Sequence, residues 1–376
     1  MSTAKNDKDA GPFYGTMAVF GVGLIGGSLA LASKRGRLVE RVLGISRAST
    51  VEKALELGVI DQGFERERAA EALEQADLVV LAGPVQVIIS QLGTIGPLLK
   101  AGATVTDVGS TKRAIVKAAL ENLPETAHFV GGHPMAGAET TGVESADPFL
   151  FQNAVYVICP GRETDREQAD RFSSLAQAIG ARVLITTPEN HDRIAATISH
   201  LPQLVAVGMM NLAAQFNDED DDTLKLAAGG FRDLTRIASS PFDMWRDILA
   251  TNSDELRDRI DSLIRRLEAL KDVVGTEEMA RSFERAARSR ALIHKDLKGF
   301  LTPLFEAIVT APDEVGVILR IANGLAGEQI NIKDIEVLKV REGEGGTIKL
   351  GFSTVEDRAG AIRILKALGF PARSRD

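Results

Sequence analysis

The chain has 376 residues, 44% hydrophobic and 26% charged, with a net charge of −8 at neutral pH. That length allows two or three domains with real cores, and an acidic chain without a basic block excludes nucleic acid and anionic membrane as natural partners. The single cysteine, Cys159, excludes a disulfide framework and a cysteine metal cluster and fits a cytoplasmic location.

No apolar run reaches the ~18–20 residues that a membrane span needs. Residues 1–14 are polar, carry no apolar signal segment, and are expected to form a disordered tail. From residue 15 to 187 short β-rich runs alternate with helical stretches: TMAVFGVG, RVLGISR, ADLVVLAGP, ATVTDVGS, HFVGGHP, AVYVICP and ARVLITT are the strand candidates. Such alternation predicts a parallel sheet covered on both faces, of Rossmann type. From 188 to 300 strand-like runs vanish. HDRIAATISH, QLVAVGMMNLAAQF, DMWRDILATN and DELRDRIDSLIRRLEALKDVV fit helical periodicity, and their apolar faces predict an all-α domain that pairs with a second copy in a homodimer. Residues 301–376 read strand, helix, strand, strand, helix, with REGEGG as a hairpin turn and room for a last short strand: a small ferredoxin-like α+β domain.

The chemistry-bearing residues follow the same order. Gly21-Val22-Gly23-Leu24-Ile25-Gly26 is a G-x-G-x-x-G run between a strand and a helix, the context in which it binds a dinucleotide. Gly21 permits the turn, Gly23 lets the backbone approach a pyrophosphate, and Gly26 lets helix pack on strand. The second strand ends at Ser46-Arg47, without the acid that bonds a ribose 2′-hydroxyl, so NADP is favoured slightly over NAD or beside it. Ser110 and Lys112 follow another strand at the edge where ligands bind, or else cap the next helix. His133 lies beyond a later strand in VGGHPMAGAETTG; neutral imidazole there suits removal of a hydroxyl proton, with Glu139 near enough in sequence to orient the ring. His128 reads as structural and His294 as a surface residue. His191 and His200 bracket a segment in which Ser199 and Gln203, four apart, share a helix face unless Pro202 kinks it. Asp233 and Arg236, three apart, fall on one helix face, either as a surface pair or with the arginine set to grip a carboxylate.

These segments together resemble the prephenate and arogenate dehydrogenases of tyrosine biosynthesis. The resemblance runs in order through VFGVGLIGGSLA, VTDVGSTK, GGHPMAGAETTG, HDRIAATISHLP and GGFRDLTRIASSPFDMW, over roughly residues 16 to 300. It implies that His133 takes the proton of the substrate's ring hydroxyl and that Arg236 binds the ring carboxylate. By the same resemblance Ser110, Glu139, Ser199, Asp233 and Trp245 match pocket positions, and His191 and His200 match histidines usual there. Some members carry a second histidine in SHLPH where this chain has Gln203, at the substrate side chain. The implied reaction is oxidative decarboxylation of prephenate with hydride passed to NAD or NADP and no metal. The alternatives are an arogenate dehydrogenase, a β-hydroxyacid or imine reductase of the same build, and a non-catalytic amino-acid sensor. The tail resembles an ACT domain, on APDEVGVILRIANGLAGEQINI; this implies an effector, L-tyrosine by economy of the pathway, held near Asp313, Gly316 and Asn331.

Overall fold

The structure, a computed structural model, describes residues 11–137, 140–292, 304–341 and 345–375. It divides into two compact units, residues 1–283 and 284–376.

The first unit opens with β1 (Tyr14–Phe20), α1 (Leu24–Arg35), β2 (Val39–Ser46), α2 (Ala48–Glu56), β3 (Gln62–Glu65), α3 (Ala69–Leu73) and β4 (Leu78–Leu81). It continues with α4 (Val85–Ile95), β5 (Thr104–Asp107), α5 (Arg113–Asn122), β6 (His128–Pro134), β7 (Val155–Pro160), α6 (Arg166–Ala178) and β8 (Arg182–Ile185). The strands form one sheet in the order β3-β2-β1-β4-β5-β6-β7-β8. Its two faces carry separate apolar cores, one including Met17, Leu29 and Tyr156, the other Leu43, Phe64 and Leu92. Central strands such as LVVL in β4 are buried on both faces, as a sheet sandwiched by helices requires.

Three expectations change. Tyr14, assigned to the tail, is buried at the start of β1. β3, only four residues with one glycine, was not foreseen in the sequence. The sheet is also not wholly parallel, because β7 runs antiparallel to β6 and parallel to β8.

The expected boundary at residue 187 falls between β8 and α7 (Pro188–Ala195). A single π-turn (Ala196–His200) joins α7 to α8 (Leu201–Glu219), so Ser199 and Gln203 do not share one regular α-helix. The π geometry lies just before Pro202, whose missing N–H cannot continue the ladder. Then come α9 (Gly229–Thr235), a 3₁₀ turn (Arg236–Ser239), α10 (Phe242–Thr251), α11 (Ser253–Asp272) and α12 (Glu277–Ala291). Asp233 and Arg236 are therefore not on one α-helix: α9 ends at Thr235 and the backbone tightens at Arg236.

The second unit contains β9 (Phe305–Ala311), α13 (Val317–Gly327), β10 (Asp334–Arg341), β11 (Gly345–Phe352), α14 (Val355–Ala367) and β12 (Ala372–Arg375). The sheet is antiparallel, order β10-β11-β9-β12, the ferredoxin-like arrangement expected. Its core joins Val309 and Leu350 to Ile321 and Leu365 of the two helices. The hairpin residues 342–344 lie outside the described residues, but Arg341 pairs with Gly345 across them. Among the described residues no helix is long and apolar enough to cross a membrane.

Candidate active site

The glycine turn has the geometry its sequence calls for. Gly21 has φ +101°, and a Cβ there would lie 2.0 Å from the Ala82 carbonyl oxygen. A Cβ on Gly26 would meet the Gly21 carbonyl oxygen at 2.3 Å, so helix and strand approach as closely as they do only with glycine. At Gly23, by contrast, a Cβ would meet nothing within 4 Å. Gly23 precedes α1 and supplies no side-chain cap, which leaves the helix's first N–H groups facing outward. Gly23, Leu24, Ile25 and Gly26 line a cavity of about 440 Å³ together with Ser110 and the loop Ala136–Gly137 that follows His133. These residues fit a dinucleotide: an open backbone cradle for phosphate at the helix end, and room along the edge of the sheet. Ser46 is buried at the end of β2 and Arg47 is exposed beside it; Glu65 of β3 pairs in register with Ser46.

Helices α7 and α10 close this edge by capping helices of the sheet domain. Asp192 of α7 accepts the backbone N–H groups of Lys112 (2.7 Å) and Arg113 (3.0 Å) at the start of α5. Asp247 of α10 accepts the N–H of Gln86 in α4 (3.1 Å). A carboxylate at each helix start satisfies orphan donors and meets the positive end of the dipole. The cap on α5 is thus Asp192, neither Ser110 nor Lys112. Lys112 is wholly buried, and its ammonium donates to Asp107 and to the Gly132 carbonyl (2.6 Å). Asp107 also accepts N–H bonds from Gly109 (2.8 Å) and Gly132 (3.1 Å), which ties the ends of β5 and β6 together.

His133 is the penultimate residue of β6, inside the strand where the sequence placed it beyond. Its Nδ1 lies 2.8 Å from Nε2 of His191, and Nδ1 of His191 lies 2.7 Å from the Asp192 carboxylate. Burial, and then the neighbouring His191 and Lys112, hold His133 well below the usual histidine range, so it is neutral at physiological pH. Burial pushes Asp192 up, but bonds from His191 and the two backbone N–H groups outweigh it and hold the carboxyl below its usual value. His200 is also buried; desolvation brings it down to about 4, against the opposing pull of Asp192. Its Nδ1 lies 3.2 Å from Asn252 Nδ2, which also donates to the Asp192 carbonyl (2.8 Å), and its ring meets Trp245 edge-on.

Gln203 is buried and donates to the Ile237 carbonyl (3.0 Å), fastening α8 to the turn that starts at Arg236. Arg236 and Asp233 are exposed and Ser199 half-buried. Glu139 and His294 lie outside the described residues. His128 is structural, as expected, bonded to Asp165 at 3.0 Å. Sequence reasoning missed the parts played by Asp192, Asp247 and Asn252, and did not connect His191 to His133. The one signal available was the adjacent His191-Asp192 pair.

A glycine-cradled helix start, a neutral histidine at the sheet edge and helices closing over it define an NAD(P)-dependent dehydrogenase with a Rossmann-type nucleotide domain. Residues 29–185 match the family model for the prephenate dehydrogenase nucleotide-binding domain, and residues 187–286 that for the prephenate dehydrogenase dimerization domain. The chain belongs to the prephenate dehydrogenase family. It is 36% identical to the prephenate dehydrogenase of Bacillus subtilis strain 168, over 94% of this chain and 96% of that one. Among solved structures, the prephenate dehydrogenase of A. aeolicus in complex with hydroxyphenyl propionate and NAD+ has a TM-score of 0.69 at 30% identity, covering 74% of this chain and 98% of that one. The arogenate dehydrogenase of Synechocystis has a TM-score of 0.67 at 31% identity, covering 74% and 100%. Among the described residues no cluster of His, Cys, Asp and Glu is set to hold a metal.

Proposed function

We propose that this chain converts prephenate to 4-hydroxyphenylpyruvate by oxidative decarboxylation, in the cytoplasm, as a step of tyrosine biosynthesis. The observation that carries the reading is His133, held neutral near the end of β6, ahead of the Ala136–Gly137 loop that lines the glycine-cradle cavity, and chained to His191 and Asp192. Gly21–Gly26 would hold a nicotinamide cofactor, which would supply the hydride acceptor for the carbinol carbon of the ring. His133 takes the hydroxyl proton, which general-base catalysis requires of a neutral imidazole. Arg236 binds the ring carboxylate until it leaves as CO₂ and the ring becomes aromatic. Ser110 contacts the reacting end, and Ser199, His200, Gln203, Asp233, Glu139 and Trp245 shape the substrate pocket. The exposed Arg47 beside Ser46 supports use of NADP as well as NAD. Steady-state rates with prephenate and with arogenate, each with both cofactors, test the reading; a higher kcat/KM for arogenate would replace the substrate. Ser46→Asp should lower the NADP-to-NAD ratio of kcat/KM, and an unchanged ratio would remove Ser46 from the ribose site.

The exposed apolar side chains Leu212, Phe216, Leu267 and Phe283 of the helical region support a homodimer, which sedimentation would test. In the second unit a cavity of about 280 Å³ is lined by Asp313, Glu314, Gly316 and Val337. Gly316, at φ +88°, opens α13 and leaves backbone N–H groups toward an amino-acid carboxylate. This supports L-tyrosine as an effector of an ACT-like unit. Asn331 is exposed and precedes β10 by three residues, outside the lining of this cavity. A chain ending at residue 300 should lose sensitivity to tyrosine; an unchanged inhibition midpoint would place the effector elsewhere.

A further inference from the structure

The direction of a chain of hydrogen bonds is decided at whichever end has no choice. Asp192 is that end. Its two oxygens accept the backbone N–H groups of Lys112 and Arg113, and a backbone N–H can only donate. The Arg113 guanidinium lies 3.4 Å away, and the positive end of α5 points at the same carboxylate. An ionised carboxylate accepts and does not donate, so the bond at 2.7 Å must be donated by His191 Nδ1. Neutral imidazole has one N–H. Nε2 of His191 is then an acceptor, and the contact at 2.8 Å requires His133 Nδ1 to donate. The lone pair of His133 is left on Nε2. A protonated His191 would reverse this, turning its Nε2–H on His133 Nδ1. The assignment made below is for the neutral His191 ring, facing a carboxylate that also meets Arg113 and the start of α5.

The same hub sets the other buried histidine the opposite way. Arg113 donates to Asn252 Oδ1 (3.0 Å), which fixes the amide so that Nδ2 faces the Asp192 carbonyl and His200. Because Nδ2 donates, His200 Nδ1 accepts, and the proton of neutral His200 sits on Nε2. One carboxylate and one arginine thus orient two rings as opposites, one to accept a proton and one to donate a hydrogen bond.

We propose that His191 is a positioning residue that fixes the tautomer of His133: Asp192 accepts a hydrogen bond from Nδ1–H of His191, Nε2 of His191 accepts one from Nδ1–H of His133, and His133 Nε2 is left bare to receive the substrate's hydroxyl proton. The last clause rests on His133 being the base. The first two do not.

The test uses the full chain and two readouts. Ring ¹⁵N NMR, with signals assigned by single His→Asn variants, should show His133 protonated at Nδ1 and bare at Nε2, and His200 the reverse. In kinetics, His191→Ala removes the acceptor and should lower kcat by ~10²-fold, with cofactor Kd unchanged. His191→Gln keeps the polarity, because its carbonyl oxygen is as far from Cβ as Nε2 and can face His133 while its amide turns to Asp192; it should restore kcat to within ~10-fold of the parent. The tautomer assignment is overturned by a proton on His133 Nε2 in the parent enzyme. The positioning role is overturned if His191→Ala keeps more than a third of the parent kcat, or if a folded His191→Gln is as slow as His191→Ala. If His133→Asn itself remains active, the base reading fails, and the NMR result alone decides the tautomer.

Discussion

Both sheets of this protein bury a lysine against acid, and they do it differently. Lys112, at the ligand edge of the large sheet, has one carboxylate, Asp107, and one backbone carbonyl, and both charges are wholly buried. Lys349, on the small sheet, sits among Glu336 (2.8 Å), Glu306 (3.1 Å) and Asp334 (3.7 Å), all partly open to solvent. Its bond to Glu336, and then the bond to Glu306, outweigh burial and hold the ammonium above its usual range. The first arrangement has no redundancy and fixes the ends of two strands beside His133. The second spreads one charge over three partners, any of which water can replace. The buried pair joins strand ends at the ligand edge, and the shared charge lies on a face partly open to solvent.

The largest effect should come at the large sheet's edge. His133→Asn keeps hydrogen bonding but cannot take a proton, and kcat should fall ~10²–10⁴-fold with cofactor affinity kept; steady-state kinetics that retain a third of the rate would remove its catalytic role. Next, Lys112→Met strands Asp107, with only the N–H groups of Gly109 and Gly132 left to it. Denaturant melts should show a loss of about 3–5 kcal/mol. A loss below about 1 kcal/mol would erase the contrast with Lys349.

The third effect is a pH slope. His200 has a folded pKa of about 4, below its ordinary 6.5, so on acidification the unfolded chain binds this proton first. The stabilising contribution is full above 6.5 and is lost as pH falls through about 4, on the order of 3 kcal/mol in all. His133 is shifted in the same direction. His200→Gln should flatten stability across this window; an unaltered slope would mean that other groups set it. Lys349 works at the opposite end, since a raised ammonium pKa contributes below its unfolded value and is lost as pH rises through the folded one. The smallest effect is Lys349→Met, expected to cost ~1 kcal/mol or less in melts of the full chain. A cost equal to that of Lys112→Met would mean that redundancy of partners gives no protection.

Elements with a strong local signal were legible. The strand, glycine turn and helix around Gly21–Gly26 are consecutive in the chain, so their geometry follows from neighbouring residues. β3 was not legible, because QGFE is too short to show a period. Nor was the direction of β7: an apolar strand reads the same whichever way it runs, and only its partners' hydrogen bonds decide. Spacing placed Asp233 and Arg236 on one helix because it could not foresee a 3₁₀ turn opening between them.

The site divides along the same line. Residue type and local context marked His133, the glycine cradle and Ser110 as candidates, and the order of motifs marked the family. The sequence by itself also determined three kinds of layer in order, since each declares itself through a period of a few residues. What faces His133 depends on partners far along the chain: His191 is 58 residues away, and Asp192 reaches Lys112 across 80. A proton's position on an imidazole is set by which atoms face each nitrogen. Nothing in a linear spacing encodes that; only the folding of α7 against the end of β6 brings His191 to His133.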